Sequence, residues 1–393
     1  MKPSRYNHIV RRRGRQPAIY NSRSHRILEL DAVQQAIYNG LQIPITRGLM
    51  NPRDPAMEKF LGALCENRMA VEENYDELPE VQLRSNLVRF GRSRLSLWLQ
   101  LTTRCQAGCA ECPYREGRRD AGDAARQRLL DLIASRVPEL QALELTLWGG
   151  DPFLAWPAWR ALEREIAALS RQHKFEWSCR IVANAVPRDF GEKELDGIDR
   201  LLLNDPSFAG TAAAPVTFLT DFKRVADRHG GFAAGTSMRF IPNQPLAGLC
   251  RNLNGLCQSV PEFTDEEYDI IRRLVLEGVA VENLPRPKHT ACQAVDPQSF
   301  IIDVAGRVHK CWNDAGKPEA DCAAALDDPF APQLFRWMSW DPFRQQHCRA
   351  CNILPWCQGG CIAKPDNEDC GHWRYALREL LKLAVMGIEK RGE

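Results

Sequence analysis

The chain has 393 residues, 44% of them hydrophobic and 26% charged, with a formal net charge of +2. That length suggests two or three domains rather than one small core. The near-neutral balance gives no global argument for nucleic acid or membrane binding, and no run of about 18 apolar residues reads as a transmembrane helix. The N-terminal MKPSRYNHIVRRRGR is basic but is not followed by an apolar signal core, so the expected location is cytoplasmic. Cysteine is the anomaly: there are 15, clustered in two places. In a reducing compartment such clusters point to metal or catalysis rather than to disulfides. The isolated Cys65 and Cys179 read instead as small buried hydrophobes.

Residues 1–90 come first. Residues 1–50 carry nine Lys/Arg against two Asp/Glu. Short strand-like runs, YNHIV, AIYN and HRILEL, are separated by turn or basic residues. Helical patterns follow at Asp31–Gly40 and Ala56–Asn67. An exposed strand edge can capture an extended peptide through backbone hydrogen bonds, and the basic residues would favour an acidic one. A cap packed against the next domain fits equally well. A nucleic-acid patch fits less well, since aromatic interleaving is sparse.

From residue 91 to about 285 the pattern alternates. Strand-like runs are Leu95–Leu101, Leu143–Trp148, Ser178–Ala185, Ile198–Leu203 and Thr236–Ile241. Helical patterns lie between them, around Ala121–Val137, Pro157–Gln172 and Val216–His229. In the second of these, Trp156, Trp159, Leu162, Ile166 and Leu169 recur at core-face spacing. Such alternation predicts parallel strands with crossover helices, and in such folds chemistry sits at the carboxyl ends of strands. Two motifs fall there. After Thr102-Thr103 come Cys105, Cys109 and Cys112, spaced C-x3-C-x2-C. Three thiols at that spacing suit a zinc loop completed by a fourth ligand. They equally suit a four-iron cluster that keeps one iron open. After Leu143–Trp148 comes Gly149-Gly150-Asp151-Pro152. A glycine pair at a strand end lets the backbone approach a ligand closely, and the acid beside it can hold an amino group. A plain strand-to-helix turn would use the same residues. Asn184, Asn204, Asp205 and Asn243 also leave strand ends and are candidates to line a pocket, although polar residues there commonly form turns.

The third region, 286–393, carries seven patterned cysteines. Cys292 precedes FIIDVAGRVHKCW, which reads as a hairpin turning at Ala305-Gly306 that delivers Cys311 to a site. Cys348, Cys351, Cys357, Cys361 and Cys370 follow. A paired zinc ribbon is the alternative, since thiolates suit both metals.

Taken together, the first two motifs resemble those of the radical SAM enzymes, which carry C-x3-C-x2-C after the first barrel strand and a GGE-type motif after the second. Here Glu111 stands where the family usually has an aromatic, and Asp151 replaces the usual Glu. The third array is similar to the SPASM extension of one branch of that family and matches it at every position. The resemblance implies an α/β chain: a small N-terminal α+β domain (1–90) like a leader-recognition element, a partial (β/α)6 TIM-like barrel (91–285), and a cysteine-rich SPASM domain (286–393). It implies S-adenosylmethionine (AdoMet) chelated by a 4Fe–4S cluster on Cys105, Cys109 and Cys112, with Gly149, Gly150 and Asp151 contacting AdoMet; Asn184, from its strand-end position, is a further candidate to line that pocket. It further implies two auxiliary Fe–S clusters, one on Cys292, Cys311 and Cys361, the other on Cys348, Cys351, Cys357 and Cys370. The first auxiliary set lacks a fourth cysteine: it is either open, with an iron free to bind substrate, or completed by His289, Cys322, Cys250 or Cys257. The implied activity is reductive cleavage of AdoMet to a 5′-deoxyadenosyl radical that modifies a ribosomally made precursor peptide, forming a thioether, ether or carbon–carbon cross-link. Oxidation of Cys or Ser in a protein substrate and peptide epimerisation are the alternatives within the class; a structural zinc protein is the alternative outside it. An electron donor such as flavodoxin or ferredoxin is the implied protein partner, with no nucleic acid and no membrane.

Overall fold

The structure is a computed structural model. It describes residues 1–51, 53–105, 117–188, 190–191, 193–203, 216–220, 237–240, 260–282, 284–326, 328, 330–360, 362 and 373–391.

The chain begins with β1 (Lys2–Pro3) and a three-stranded antiparallel meander of β2 (Asn7–Val10), β3 (Ala18–Asn21) and β4 (Arg26–Glu29). These are the three runs that the sequence marks. Helix α1 (Ala32–Gln42) starts where Asp31 and Gln34 form a reciprocal capping box. After α2 (Pro44–Leu49), helix α3 (Pro55–Glu66) starts on the Asp54 side chain with Pro55 in its first turn. Ile19, Leu30, Tyr38, Leu41, Met57, Phe60 and Leu64 close a small core between these elements. Cys65 departs from its expected burial. The inward face of α3 is Met57, Phe60 and Leu64, and the next position turns out to solvent. Strand β5 (Ala70–Val71) returns to pair with β1, and α4 (Leu78–Arg89) completes the region.

Among the described residues the main sheet holds nine strands. In spatial order from β6 (Arg94–Thr102) they run through β7 (Ala142–Gly149), β8 (Glu176–Ala183), β9 (Arg200–Leu203), β10 (Val216–Thr220), β11 (Ser237–Phe240) and β12 (Ala280–Val281), every neighbouring pair parallel. On the other side of β6 lies β13 (Ser299–Ile302), also parallel, and then β14 (Val308–His309), antiparallel. The α/β class and the parallel sheet are therefore as expected, with crossover helices α5 (Asp123–Arg136) and α6 (Trp156–His173).

Alternation along these strands separates two faces. Leu95, Leu97, Leu99 and Leu101 of β6, Leu143, Leu145 and Leu147 of β7, and Cys179, Ile181 and Ala183 of β8 bury against one side. There they meet Leu129, Leu132 and Ile133 of α5 and Trp159, Leu162 and Ile166 of α6, with Trp156 and Leu169 partly buried at the margin. Cys179 is a core residue, as its isolation suggested.

One element differs from expectation. Val216–His229 has a helical pattern, but Val216–Thr220 is a strand paired with both β9 and β11. Five residues of Val-Thr-Phe-Leu-Thr are too few for periodicity to separate helix from strand, and β-branched and aromatic side chains suit a strand between two partners. Residues 221–229 lie outside the described residues.

After α7 (Val260–Leu276) the chain forms the β13–β14 hairpin, whose turn includes Gly306 as expected. Short helices follow, α8 (Pro332–Met338), α9 (Gln346–Ala350) and α10 (Leu354–Cys357), and then the long α11 (Trp373–Arg391). The N-terminal region packs directly on this part. Tyr6, Leu78 and Val81 share one core with Phe343, Cys348 and Leu354. Arg89, at the end of α4 and buried, donates to the carbonyls of Val295, Trp337, Met338 and Trp340.

Candidate functional site

The site starts from the carboxyl ends of β6 and β7. Beyond β6 the chain leaves and returns on itself. Thr103 N–H donates to Arg119 O at 2.8 Å, and Ala121 N–H donates to Leu101 O at 2.9 Å. Asp120 accepts from Thr102 Oγ1 at 2.6 Å and from Arg104 Nε at 2.8 Å. The segment that starts at Cys105 is thus clamped at its base, and the ends of the thiol-bearing loop are fixed whatever it binds.

The glycine turn presses against the same base. Gly150 N–H donates to Thr102 O at 2.8 Å and Asp151 N–H to Arg104 O at 2.7 Å. Gly149 has φ of +132°, where side chains are strained, and a Cβ there would lie 2.2 Å from Thr102 O. At Gly150 a Cβ would lie 2.0 Å from Arg104 O. Both glycines are required because two backbones touch. The close approach seen here is to the base of the cysteine loop.

Asp151 lies in the same turn, 9% exposed. Its Oδ1 accepts from Phe153 N–H at 3.3 Å, so it caps the short helical turn Pro152–Ala155. Burial raises its pKa, and the Phe153 hydrogen bond partly opposes that rise. Asn184, just past β8, donates from Nδ2 to Cys105 Sγ at 3.1 Å. The structure therefore brings Cys105, Gly149, Gly150, Asp151 and Asn184 together at the carboxyl ends of the adjacent strands β6, β7 and β8. Cys109, Cys112, Asn204, Asp205 and Asn243 lie outside the described residues.

A second group surrounds the β13–β14 hairpin. Cys292 and Cys311 each precede a short helical turn, Gln293–Val295 and Trp312–Asp314. Between the segments lies Lys310, with its ammonium on the carbonyls of Asp296 and Ser299. Burial pushes its pKa down to about 8, against the opposing charges of Asp296, Cys322 and Cys292. Cys322 thus shares a neighbourhood with Cys292. Its own thiol is buried, donates to Val308 O at 3.2 Å, and is pushed up to about 11 by burial. His289 accepts from Ser85 Oγ through its backbone carbonyl. Cys250, Cys257, Cys361 and Cys370 lie outside the described residues.

Cys348 and Cys351 sit one turn apart, with Cys351 N–H donating to Cys348 O at 3.0 Å. Cys357 closes α10. Among the described residues, no three His, Cys, Asp or Glu side chains converge as a metal-ligating group.

Sequence reasoning missed what joins the two regions. Trp148, directly before Gly149, and Trp98 on β6 both meet the ring of Trp312, directly after Cys311. The ring centroids are 4.8 Å and 4.2 Å apart. The glycine turn and the hairpin cysteine are therefore linked through one aromatic cluster. The only sequence trace was a tryptophan beside each motif.

No protein-family model matches the sequence, and no curated protein matches it. Among solved structures, native anSMEcpe with bound AdoMet and Cp18Cys peptide is 14% identical, covering 74% of this chain and 99% of that one at a TM-score of 0.51. Streptococcus suis SuiB bound to precursor peptide SuiA is 12% identical, covering 93% of this chain and 98% of that one at a TM-score of 0.42. The first likeness shows that this chain shares the fold of an AdoMet- and peptide-bound protein. The second is too distant to add to it.

Proposed function

We propose that the chain is a radical SAM enzyme of the SPASM branch that modifies a ribosomally made peptide, most simply by a side-chain cross-link. One observation carries the reading. The two cysteine arrays and the glycine turn occur in the family's order and spacing, and the Gly149–Asp151 backbone lies hydrogen-bonded to the base of the Cys105 loop. The fold shared with anSMEcpe supports it. So does the consecutive order of β6 to β11, which suits a partial (β/α)6 barrel over residues 91–285, between an N-terminal domain at 1–90 and a SPASM domain at 286–393.

The residues fit the groups this reading needs. Cys105, Cys109 and Cys112 would hold a 4Fe–4S cluster. An amide hydrogen bond to a ligating sulfur, as Asn184 offers Cys105, is a recognised control of cluster potential. Gly149 and Gly150 leave backbone exposed to AdoMet, and the Asp151 carboxylate would face its amino group while its Oδ1 caps Phe153. Cys292, Cys311 and Cys361, and Cys348, Cys351, Cys357 and Cys370, would hold two auxiliary clusters. When bound, cluster and AdoMet together supply one-electron chemistry able to take a hydrogen atom from an unactivated carbon. The protein's part is to hold that carbon close and to keep water out. The Trp98–Trp148–Trp312 cluster provides an apolar wall for this. A flavodoxin or ferredoxin would deliver the electron. The outer edge of β2, which borders a cavity of about 680 Å³, would take a leader peptide as an added strand.

The test is metal content and AdoMet cleavage of anaerobically reconstituted protein, beside a Cys105/Cys109/Cys112→Ala variant. About eight to twelve irons with matching sulfide are expected, with about four lost in the variant together with cleavage. Zinc without sulfide, and no cleavage, would return the chain to a structural zinc protein. A product peptide of unchanged mass would replace cross-linking by epimerisation.

A further inference from the structure

A buried cation joins the Cys292 segment to the Cys311 segment. Cys292 opens the short turn Gln293–Val295, and two buried side chains hold the carbonyls at its end. Arg89, from α4, takes Val295 O at 2.8 Å. Lys310, from the end of the β13–β14 hairpin, takes Asp296 O, and also Ser299 O at 2.6 Å. Lys310 is the residue directly before Cys311. Its side chain therefore reaches from one cysteine-bearing segment to the other, and Arg89 would still hold the turn if that reach were cut.

Lys310 is only 2% exposed, and its ammonium lies 4.5 Å from the centroid of the Phe300 ring. Two carbonyls and a ring face all favour the charged form. The neighbouring acid does not take that charge directly. Asp296 gives Lys310 its carbonyl, while its carboxylate accepts from Gln298 N–H at 2.8 Å. Asp296, Cys322 and Cys292 all lie within the electrostatic reach of the ammonium, and Arg89 adds a second cation. A charge this deeply buried is screened far less than one at the surface. Reduction adds one negative charge to an iron–sulfur cluster, and local charge is among the levers that set cluster potential. An ammonium fixed beside two thiolate-bearing segments would therefore favour the reduced cluster.

We infer that Lys310 raises the reduction potential of the auxiliary cluster assigned to Cys292, Cys311 and Cys361, so that this cluster takes up an electron more readily. The inference rests on the cluster assignment proposed above. It adds to that assignment a residue that ligates no iron and acts on the cluster through its charge.

The measurement is a redox titration at pH 7, followed by electron paramagnetic resonance. The sample is full-length, iron-loaded protein carrying Cys105/Cys109/Cys112→Ala, so that only the auxiliary clusters contribute. Iron and sulfide are counted on every preparation, and two reduction waves are expected. In Lys310→Met one wave should move to lower potential and the other should stay. The expected shift is at least a tenfold fall in the ratio of reduced to oxidised cluster at a given potential, about 59 mV for one electron. Lys310→Gln keeps a donor for the carbonyls without the charge and should move the same wave the same way. Lys310→Arg should hold it near the parent value. With auxiliary iron retained, two unmoved waves in both neutral variants overturn the inference, as does an equal shift of both waves. An arginine variant that shifts like the methionine one also overturns it. Loss of auxiliary iron from both neutral variants would make Lys310 a structural tether and overturn it too. A parent that holds zinc without sulfide fails the cluster reading itself, before any Lys310 variant is compared, and the inference falls with it.

Discussion

Gly150 has no room for one more carbon. A Cβ there would meet the carbonyl of Arg104 at 2.0 Å, and both partners are backbone that cannot step aside. Gly150→Ala should therefore separate the glycine turn from the base of the cysteine loop. On the proposed cluster assignment, the expected outcome is loss of the iron assigned to Cys105, with the remaining iron retained and a loss of stability of about 2 kcal/mol. Iron counting and a melting curve on the same preparation check it, and retention of all iron would show that the contact is dispensable. The spacing of the thiols and the glycine pair was legible because each motif is local. The Arg104–Asp120 clamp was not, because its partners are brought together only when the loop closes on itself.

At the scale of elements, α4 is tied to the C-terminal region by one side chain. Arg89 reaches four carbonyls, those of Val295, Trp337, Met338 and Trp340. Removing the guanidinium leaves buried acceptors without donors, at about 1–3 kcal/mol for such a loss. Arg89→Met keeps the aliphatic stem and should lower stability by about 3 kcal/mol, read from the urea midpoint. A shift below about 0.5 kcal/mol would mean that water replaces the arginine without cost. Nothing local in the sequence marks Arg89: it ends a helix whose Leu83, Leu87 and Val88 are exposed, and its partners lie more than 200 residues away. The hairpin at Gly306 was legible from its turn. Its parallel pairing with β6 was not, since long-range parallel pairing leaves no periodic trace. Strand β10 was misread for a different reason, being shorter than the window over which helical and strand periods diverge.

For the whole molecule, His8 reports how the two ends of the chain are joined. It stacks on Trp356 at 5.2 Å, and Asn352 O lies 3.2 Å from its Nε2. Burial lowers its pKa to about 4, partly opposed by that carbonyl. The folded state then binds fewer protons than the unfolded state between that value and the ordinary 6.5. Stability from this group is complete above about pH 6.5 and falls as the pH drops toward 4. At pH 5 the loss should reach about 2 kcal/mol. Urea midpoints at pH 7 and pH 5 measure it, and His8→Phe should flatten the difference. An unchanged slope in that variant would place the acid sensitivity elsewhere. Parallel α/β architecture was legible from strand and helix alternation. The docking of residues 1–90 on the Cys348–Cys357 segment was not, because complementary surfaces leave no signal in either stretch alone.

The place of β13 beside β6 has a consequence for how the protein is made. Ser96 pairs with Ser299, so one edge of β6 waits through roughly 200 further residues of synthesis before its partner emerges. At ordinary translation speeds the wait is on the order of 10 to 40 s. Throughout it the ribosome carries an open, leucine-rich strand edge, the kind of surface on which nascent chains stick to one another. Yield of intact protein should therefore follow how fast the ribosome delivers the hairpin and how well chaperones shield β6 until then. Co-expression with a chaperone that shields β6 should therefore raise the yield of intact protein.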